Sequence, residues 1–222
     1  MRQTAAQHLI RTIEEKDWHL STGFLGVGLL LPILSDIGRT DIAYRLLHNE
    51  TYPSWIYSIH QGATTIWERW NSYTKEHGFG DAGMNSFNHY ALGSVGEWFY
   101  RYVAGIEIDE DHPGYERFII RPLPGGKLQW ARTEYHSIRG PIAVYWELKD
   151  DAFKLDIRVP VNTQATVYVP LGKEQTLTES GMALISKGAA TTKTHDGVRN
   201  LRIVDGKAVL EVGSGEYSFV AR

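Results

Sequence analysis

The 222-residue chain contains no cysteine, which excludes disulfides, thiol catalysis and cysteine-ligated metal sites. It has no basic stripe either: Lys and Arg are spread along the chain, and the formal net charge is −3. Proteins that bind a nucleic-acid backbone cluster their cations, so we expect no nucleic-acid partner. The nine histidines lack paired ligand spacing, so we expect neither a metal nor another cofactor.

Long apolar runs are missing as well. The longest, residues 24–34, is interrupted by Gly and Pro and falls short of the roughly 20 residues that span a bilayer. We therefore expect no membrane partner. The first eight residues lack the apolar core of a signal peptide, a pattern that points away from export. Together with the missing cysteine, this predicts a cytoplasmic protein.

Helical periodicity dominates the first hundred residues. Ala6, Leu9, Ile10 and Ile13 fall on one helical face, and residues 24–37 are apolar almost all round, as in a helix packed on both sides. Residues 71–84 are polar and Gly-rich, which favours a long loop beside a site. The pattern predicts further helices over residues 41–48, 54–60 and 86–105.

After Gly105 the period becomes alternating. Residues 106–113 look like an acidic connector, and residues 153–159 alternate apolar and charged side chains as a half-buried strand does. Seven or eight such strands with short turns predict an antiparallel β-sandwich. We expect two domains, a helical one over residues 1–110 and the sandwich over residues 111–222. The remaining strands are predicted at residues 118–121, 128–138, 142–149, 164–169, 201–204, 208–212 and 217–221.

One short stretch, residues 62–70, carries chemistry. Glu68 stands between Trp67 and Trp70, behind a small approach of Gly, Ala and two Thr. A carboxylate among aromatic rings is costly to bury unless it has a task, and such surroundings suit general acid or base work. The alternative is a surface carboxylate on an amphipathic helix whose Trp side chains are core.

Four ordered motifs closely resemble the C-terminal part of bacterial α-L-rhamnosidases, glycoside hydrolase family 78. The first is Leu-Ser-Thr-Gly-Phe-Leu-Gly and the last is Ser-Phe-Asn-His-Tyr-Ala-Leu-Gly-Ser-Val-Gly-Glu-Trp-Phe-Tyr. The junction over residues 113–122 is similar to that family's entry into its C-terminal sandwich. In order along the chain, the motifs occupy residues 20–26, 53–57, 62–70 and 86–100.

The resemblance implies part of an (α/α)6 helical barrel followed by a β-sandwich, and removal of terminal α-L-rhamnose with inversion. Inversion uses two carboxyl groups roughly 6.5–9.5 Å apart, one of which activates water. By resemblance Glu68 is that general base, and His89 lines the sugar pocket. Trp67, Trp70 and Trp55 are further candidates for contact with the substrate, a rhamnose-containing glycoside.

The chain also departs from the family pattern. A complete barrel has twelve helices, whereas about five are predicted here, and nothing in the chain matches the family's upstream acidic segment that carries the general acid. We therefore expect a fragment without activity of its own. Its exposed apolar helical faces, particularly residues 24–34, predict self-association.

Two alternatives remain at this stage. Barrels of this kind also carry glucoamylase-like and trehalase-like activities, so the fold alone does not choose the sugar. The second alternative is that the chain is a non-catalytic carbohydrate-binding or interaction module. In the sandwich, only Trp130 and Trp146 offer rings for sugar contact, and their alternating neighbours predict that both are core.

Overall fold

The computed structural model describes residues 2–191 and 197–222. It divides into two compact units. The first runs to Trp98 and includes Gly125–Lys127, whereas the second comprises Phe99–Pro124 and Leu128–Arg222. Each unit has its own buried core. Within the described residues, no helix is long and apolar enough to cross a membrane.

Four α-helices open the first unit, close to where the periodicity predicts them. They are α1 (Arg2–Glu15), α2 (Phe24–Asp36), α3 (Thr40–Leu47) and α4 (Trp55–His60). Gly38, with a φ of +77°, follows α2 and reverses the chain in a conformation that costs glycine little. The Ser54 hydroxyl caps α4 by accepting a hydrogen bond from the Tyr57 amide at 3.0 Å, as a helix N-terminus requires.

Among the described residues, helix α2 packs on one side only, which differs from the expectation that it packs on both. Its inner face buries Val27, Leu30, Leu31 and Leu34. Its outer face exposes apolar side chains four residues apart, with Leu25 at 89% and Leu29 at 61% exposure. Self-association of the isolated chain through this outer face stays a prediction, which analytical ultracentrifugation can test. The outer face comprises Leu25, Leu29, Ile33 and Ile37.

The segment that follows α4 is mostly irregular. Residues 63–70 are not helical, which rules out the amphipathic-helix interpretation of Glu68. A small hairpin of β1 (Tyr73–Thr74) and β2 (Gly78–Phe79) interrupts the predicted loop. The helix predicted over residues 86–105 begins late and changes type. It consists of a 3-10 turn at Ala91–Ser94, α5 (Val95–Trp98) and a π-helical turn at Phe99–Val103.

The second unit is a β-sandwich. One sheet has seven strands in the order β11-β10-β9-β14-β7-β6-β5, and the other has five in the order β12-β13-β8-β4-β3. All neighbours are antiparallel except β4 and β8, which run parallel. The bounds are β3 (Ile106–Ile108), β4 (Arg117–Ile120), β5 (Trp130–Ser137), β6 (Gly140–Lys149), β7 (Ala152–Val159), β8 (Gln164–Pro170), β9 (Leu177–Glu179), β10 (Met182–Ser186), β11 (Ala189–Ala190), β12 (Val198–Val204), β13 (Lys207–Val212) and β14 (Gly215–Ala221).

Sequence reasoning missed four of these strands. Strand β3 lies inside the predicted acidic connector, where it pairs with β4 through Ile106 and Ile120. Strands β9 to β11 extend the larger sheet beyond β14. They are two to five residues long, too short for a clear alternating pattern.

The two tryptophans of the sandwich differ, so the prediction that both are core is half right. Trp146 is fully buried, and its indole nitrogen donates to the Val103 carbonyl at 2.7 Å. Trp130 is 60% exposed and is therefore wrongly predicted. It begins β5 on the outward-facing register, directly opposite Glu147, and the pleat sends it away from the core.

Candidate active site

A cleft of about 600 Å³ opens in the first unit, and it contains Glu68. Its walls come from the segment between α1 and α2, from the residues just before α4, and from residues 68–71. Aromatic, cationic and carboxylate groups therefore meet in one concave surface, as small-molecule sites require. The lining comprises Lys16, His19, Leu20, Ser21, Gly23, Phe24, Tyr52, Pro53, Glu68, Arg69, Trp70, Asn71 and Leu92.

Backbone pairing holds the Glu68 segment in place. The Glu68 amide donates to the Ser86 carbonyl at 2.9 Å, and the His89 amide donates to the Ile66 carbonyl at 2.8 Å. The Thr65 hydroxyl adds a hydrogen bond to the Phe87 carbonyl. Two of the recognised motifs, residues 62–70 and 86–100, are thus joined side by side.

The Glu68 side chain is half-buried and held at one oxygen. Its Oε2 accepts a hydrogen bond from the Ser86 amide at 2.8 Å, and among the described residues nothing donates to Oε1. Glu68 is also the sole carboxylate in the described lining of the cleft, which it shares with the cations Lys16 and Arg69. Neither cation forms an ion pair with it in residues 2–191 or 197–222. An oriented carboxylate with one free oxygen is able to accept a proton from water.

Trp70 lines the cleft, and Trp55 supports it from outside the lining. The Trp70 indole donates to the Thr22 carbonyl at 2.8 Å, and the Trp55 indole donates to the Leu92 carbonyl at 2.8 Å. The two rings meet edge to face with their centroids 5.3 Å apart. Because both nitrogens are anchored, the Trp70 ring has a fixed orientation beside Glu68.

Trp67 is a packing residue in this structure. It is 7% exposed and does not belong to the cleft lining. Its ring contacts Phe87 edge to face at 5.4 Å and Tyr73 at 6.4 Å. Trp67 is therefore packed among aromatic rings, whereas its neighbour Glu68 lines the cleft.

His89 lies one side chain away from the cleft. Its ring stacks on Tyr90 at 5.1 Å and contacts Phe24, a lining residue, at 5.8 Å. The Ala91 amide donates to His89 Nδ1 at 3.3 Å. A neutral imidazole that accepts at Nδ1 carries its proton on Nε2, so Nε2 is the atom of His89 that is able to donate outward.

Sequence reasoning did not select several other lining residues. His19 Nδ1 lies 2.7 Å from the Asp17 carbonyl oxygen, and His19 Nε2 lies 2.7 Å from the Thr51 hydroxyl. Tyr52, Lys16 and Asn71 complete the polar lining. The sequence could have pointed to these residues only through their position, since each lies within four residues of a recognised motif. In the described chain, no three His, Asp or Glu side chains gather closely enough to hold a metal ion.

Comparison with known proteins gives the same family for both units. Residues 1–103 match the family model described as the bacterial alpha-L-rhamnosidase 6 hairpin glycosidase domain. Residues 105–183 match the bacterial alpha-L-rhamnosidase C-terminal domain.

Individual relatives agree. An alpha-L-rhamnosidase of Streptomyces avermitilis is 45% identical over 219 residues, which cover 99% of this chain and 20% of that protein. One from Formosa agariphila is 46% identical over 176 residues, covering 79% of this chain and 19% of the relative. The chain thus spans about a fifth of the length of these relatives.

Solved structures extend the likeness to three dimensions. The crystal structure of the Streptomyces avermitilis alpha-L-rhamnosidase complexed with L-rhamnose matches with a TM-score of 0.86 at 45% identity, covering 98% of this chain and 19% of that one. The crystal structure of a native Aspergillus terreus rhamnosidase matches with a TM-score of 0.80 at 33% identity, covering 99% of this chain and 22% of that one. This chain belongs to the bacterial α-L-rhamnosidase family, and its two units correspond to part of the six-hairpin glycosidase domain and to the C-terminal β-sandwich domain.

Proposed function

We propose that this chain supplies the general base, Glu68, and part of the sugar pocket of an inverting α-L-rhamnosidase. The observation that carries the proposal is the Glu68 carboxylate, which lies in the cleft with one oxygen held by the Ser86 amide and the other free. Family membership supports the substrate class, because the related proteins are named alpha-L-rhamnosidases and one was solved with L-rhamnose.

The proposed reaction is a single displacement. Glu68 takes a proton from a water molecule, and the water oxygen bonds to the anomeric carbon on the face opposite the departing group. The glycosidic C–O bond breaks, and its electron pair goes to the leaving oxygen, which a second carboxyl group protonates. The products are β-L-rhamnose and a free hydroxyl on the aglycone.

The second carboxyl group is proposed to come from outside the described cleft. Inverting sites separate their two carboxyl groups by roughly 6.5–9.5 Å to leave room for the water, and Glu68 is the sole carboxylate in the described lining. We therefore expect no measurable turnover from the 222-residue chain alone. Trp70 is proposed to pack its ring against the apolar face of rhamnose, with Trp55 fixing its orientation.

The test uses the product of the complete reading frame that contains this chain. With p-nitrophenyl α-L-rhamnoside as substrate, Glu68→Gln is expected to lower kcat about 10²- to 10⁴-fold, the usual contribution of a general base. Glu76→Gln is the matched control, since Glu76 is 86% exposed on the small hairpin. Unchanged turnover in Glu68→Gln would remove Glu68 from the mechanism.

Three further measurements test the stereochemistry, the role of Glu68 and the substrate. Proton NMR of the first turnovers is expected to show β-L-rhamnose, and the α anomer as first product would contradict inversion. Azide is expected to restore rhamnosyl transfer in Glu68→Ala, giving a β-L-rhamnosyl azide, because the small anion needs no base. Faster hydrolysis of an aryl glucoside than of the rhamnoside would assign the site to another sugar.

A further inference from the structure

The outer face of the seven-stranded sheet forms a second cleft, of about 700 Å³. Strands β6 and β7 turn Val144, Trp146, Leu155 and Ile157 into the core, so the residues between them face outward. Apart from Ala143, the outward residues that line the cleft are polar or aromatic. On this face the cleft is lined by Arg132, Glu134, Tyr145, Asp156, Arg158 and Ser218.

Strand register places these groups in rows across the sheet. Arg132 lies opposite Tyr145, Tyr145 opposite Asp156, and Asp156 opposite Ser218. This row therefore crosses four strands, a span of roughly 14 Å at the usual spacing between strands. In the next row along the strands, Trp130 lies opposite Glu147. The Trp130 and Tyr145 rings therefore belong to the same face of the sheet.

Most of the charges on this face are already paired. Lys154 Nζ lies 2.8 Å from Asp156 Oδ2, and Arg158 Nε lies 3.0 Å from Glu216 Oε1. The Ser218 hydroxyl donates to Asp156 Oδ1 at 2.6 Å. These pairs hold donors and acceptors at fixed positions and leave little net charge for a strongly charged partner.

Arg132 is the exception. Its guanidinium makes no ion pair or side-chain hydrogen bond with residues 2–191 or 197–222, although five N–H donors are available on it. It stands beside Tyr145 on the adjacent strand and two residues from the exposed Trp130 ring. The Tyr145 ring has Lys154 Nζ 5.9 Å from its centroid, and the Trp130 ring is exposed on the same face outside the cleft lining. Together with the unused donors of Arg132, these rings form a recognition surface rather than a packing surface.

We propose that this face of the sandwich binds a neutral oligosaccharide. Sugar rings present apolar C–H faces that pack on aromatic rings, and hydroxyls that both donate and accept hydrogen bonds. Tyr145 and Trp130 supply the rings, Arg132 donates, and the Asp156–Ser218 pair offers oxygen acceptors. Such binding would hold the protein on a glycan while reactions occur elsewhere, so it goes beyond the proposed function of Glu68 and does not depend on it.

The test is an amide NMR titration of the 222-residue chain with four probes: rutinose, cellotriose, mannotriose and β-1,4-galactotriose. At least one probe is expected to shift the amide signals of Arg132, Tyr145, Asp156 and Ser218. Tyr145→Ala and, separately, Arg132→Ala are expected to weaken binding of that probe about tenfold, the effect of losing one good stacking or charged contact.

Two matched variants locate the site. Tyr168→Ala removes a tyrosine from the outer register of the five-stranded sheet, where Arg121 stands over its ring, and is expected to leave the affinity unchanged. Glu68→Gln is expected to leave it unchanged as well. Shifts confined to Arg69 and Asn71 beside Glu68 would overturn the proposal. So would the absence of shifts with all four probes at millimolar concentration, or equal affinity in Arg132→Ala and the unsubstituted chain.

Discussion

Glu68 and Ser86 exchange two hydrogen bonds: the Glu68 amide donates to the Ser86 carbonyl at 2.9 Å, and the Ser86 amide donates to Glu68 Oε2 at 2.8 Å. These two hydrogen bonds to the Ser86 backbone thus orient the carboxylate of the proposed base. Ser86→Pro removes the N–H that holds the carboxylate, and we expect kcat of the complete reading-frame product to fall about 10- to 100-fold. KM for the aryl rhamnoside should change much less, because substrate contacts remain.

Two further substitutions separate aiming from folding. Ser86→Ala keeps the amide and loses only the contact from the Asn88 amide to the Ser86 hydroxyl, so its kcat should stay within about twofold of the original. Thr65→Val loosens the same pairing through the lost bond to Phe87 and should give an intermediate kcat. Equal kcat in Thr65→Val and the unsubstituted protein, with Ser86→Pro also active, would show that the pairing does not aim Glu68.

The two sandwich tryptophans provide a matched stability pair. Trp146→Phe removes the 2.7 Å bond to the Val103 carbonyl and leaves space in a fully buried site. We expect the free energy of unfolding of the second unit to fall by about 2–3 kcal/mol. Trp130→Phe, at a 60% exposed position, should change it by less than about 0.5 kcal/mol. Urea unfolding followed by far-UV circular dichroism measures both, and equal losses would contradict the assigned burial.

Gly105 occupies a position that no other residue fits. Its φ is +81°, and a Cβ there would lie 2.2 Å from the Arg121 carbonyl carbon and the Pro122 nitrogen. Gly105→Ala should therefore cost about 3–5 kcal/mol of unfolding free energy or prevent folding of the second unit. Gly206→Ala is the control, because its φ is +73° but its Cβ meets nothing within 4 Å. Strain alone should cost it about 1 kcal/mol. Similar stabilities for the two variants would refute the clash.

His48 should make the first unit sensitive to mild acid. Burial, then the nearby Lys127 charge, lower the pKa of His48 from its ordinary value of 6.5. The unfolded chain therefore takes up a proton first as the pH falls below about 6.5, and stability declines until the pH reaches the lower pKa of the folded state. Above about pH 6.5 His48 is neutral in both the folded and the unfolded chain, so its burial no longer lowers the free energy of unfolding.

Lys127→Gln tests the electrostatic part of that shift. We expect the pKa of His48 to rise towards its ordinary value, as measured by NMR titration of the imidazole signals, and the loss of stability in acid to shrink. Lys173→Gln, in the second unit, is the control and should leave the titration unchanged. Added salt should reduce the difference between Lys127→Gln and the unsubstituted chain, because Lys127 is exposed and salt screens exposed charges.

Local patterns were enough to predict the helices α1 to α4 and the longer strands, because their residues bury one face at a regular period. The helix predicted from residue 86 failed for a long-range reason. The carbonyl and amide of Ser86 and the amide of His89 are engaged by residues 66–68, and the His89 ring takes the Ala91 amide. Groups committed in this way cannot start a helix.

The candidate site was predictable only as a set of motifs. The carboxylate between two tryptophans pointed to Glu68, yet the nine residues of that stretch say nothing about which tryptophan faces the cleft. Tertiary packing decides it: Trp67 is buried against Phe87, and Trp70 lines the cleft. The contribution of His19 depends on a turn in which Asp17 and Trp18 both have positive φ. Asp adopts this conformation more readily than most residues, but nothing in the sequence predicts it for a tryptophan.

The exposed row on α2 has a practical consequence for anyone who purifies this chain. Leu25, Leu29 and Ile33 present an apolar stripe on a folded helix, so a dye that brightens on apolar surfaces should fluoresce with the intact protein. Dye binding is often taken as evidence of a molten globule, so it would wrongly indicate that a correctly folded preparation is partly unfolded. Near-ultraviolet circular dichroism from the enclosed indoles of Trp98 and Trp146 is the measurement that distinguishes a packed interior from a molten one.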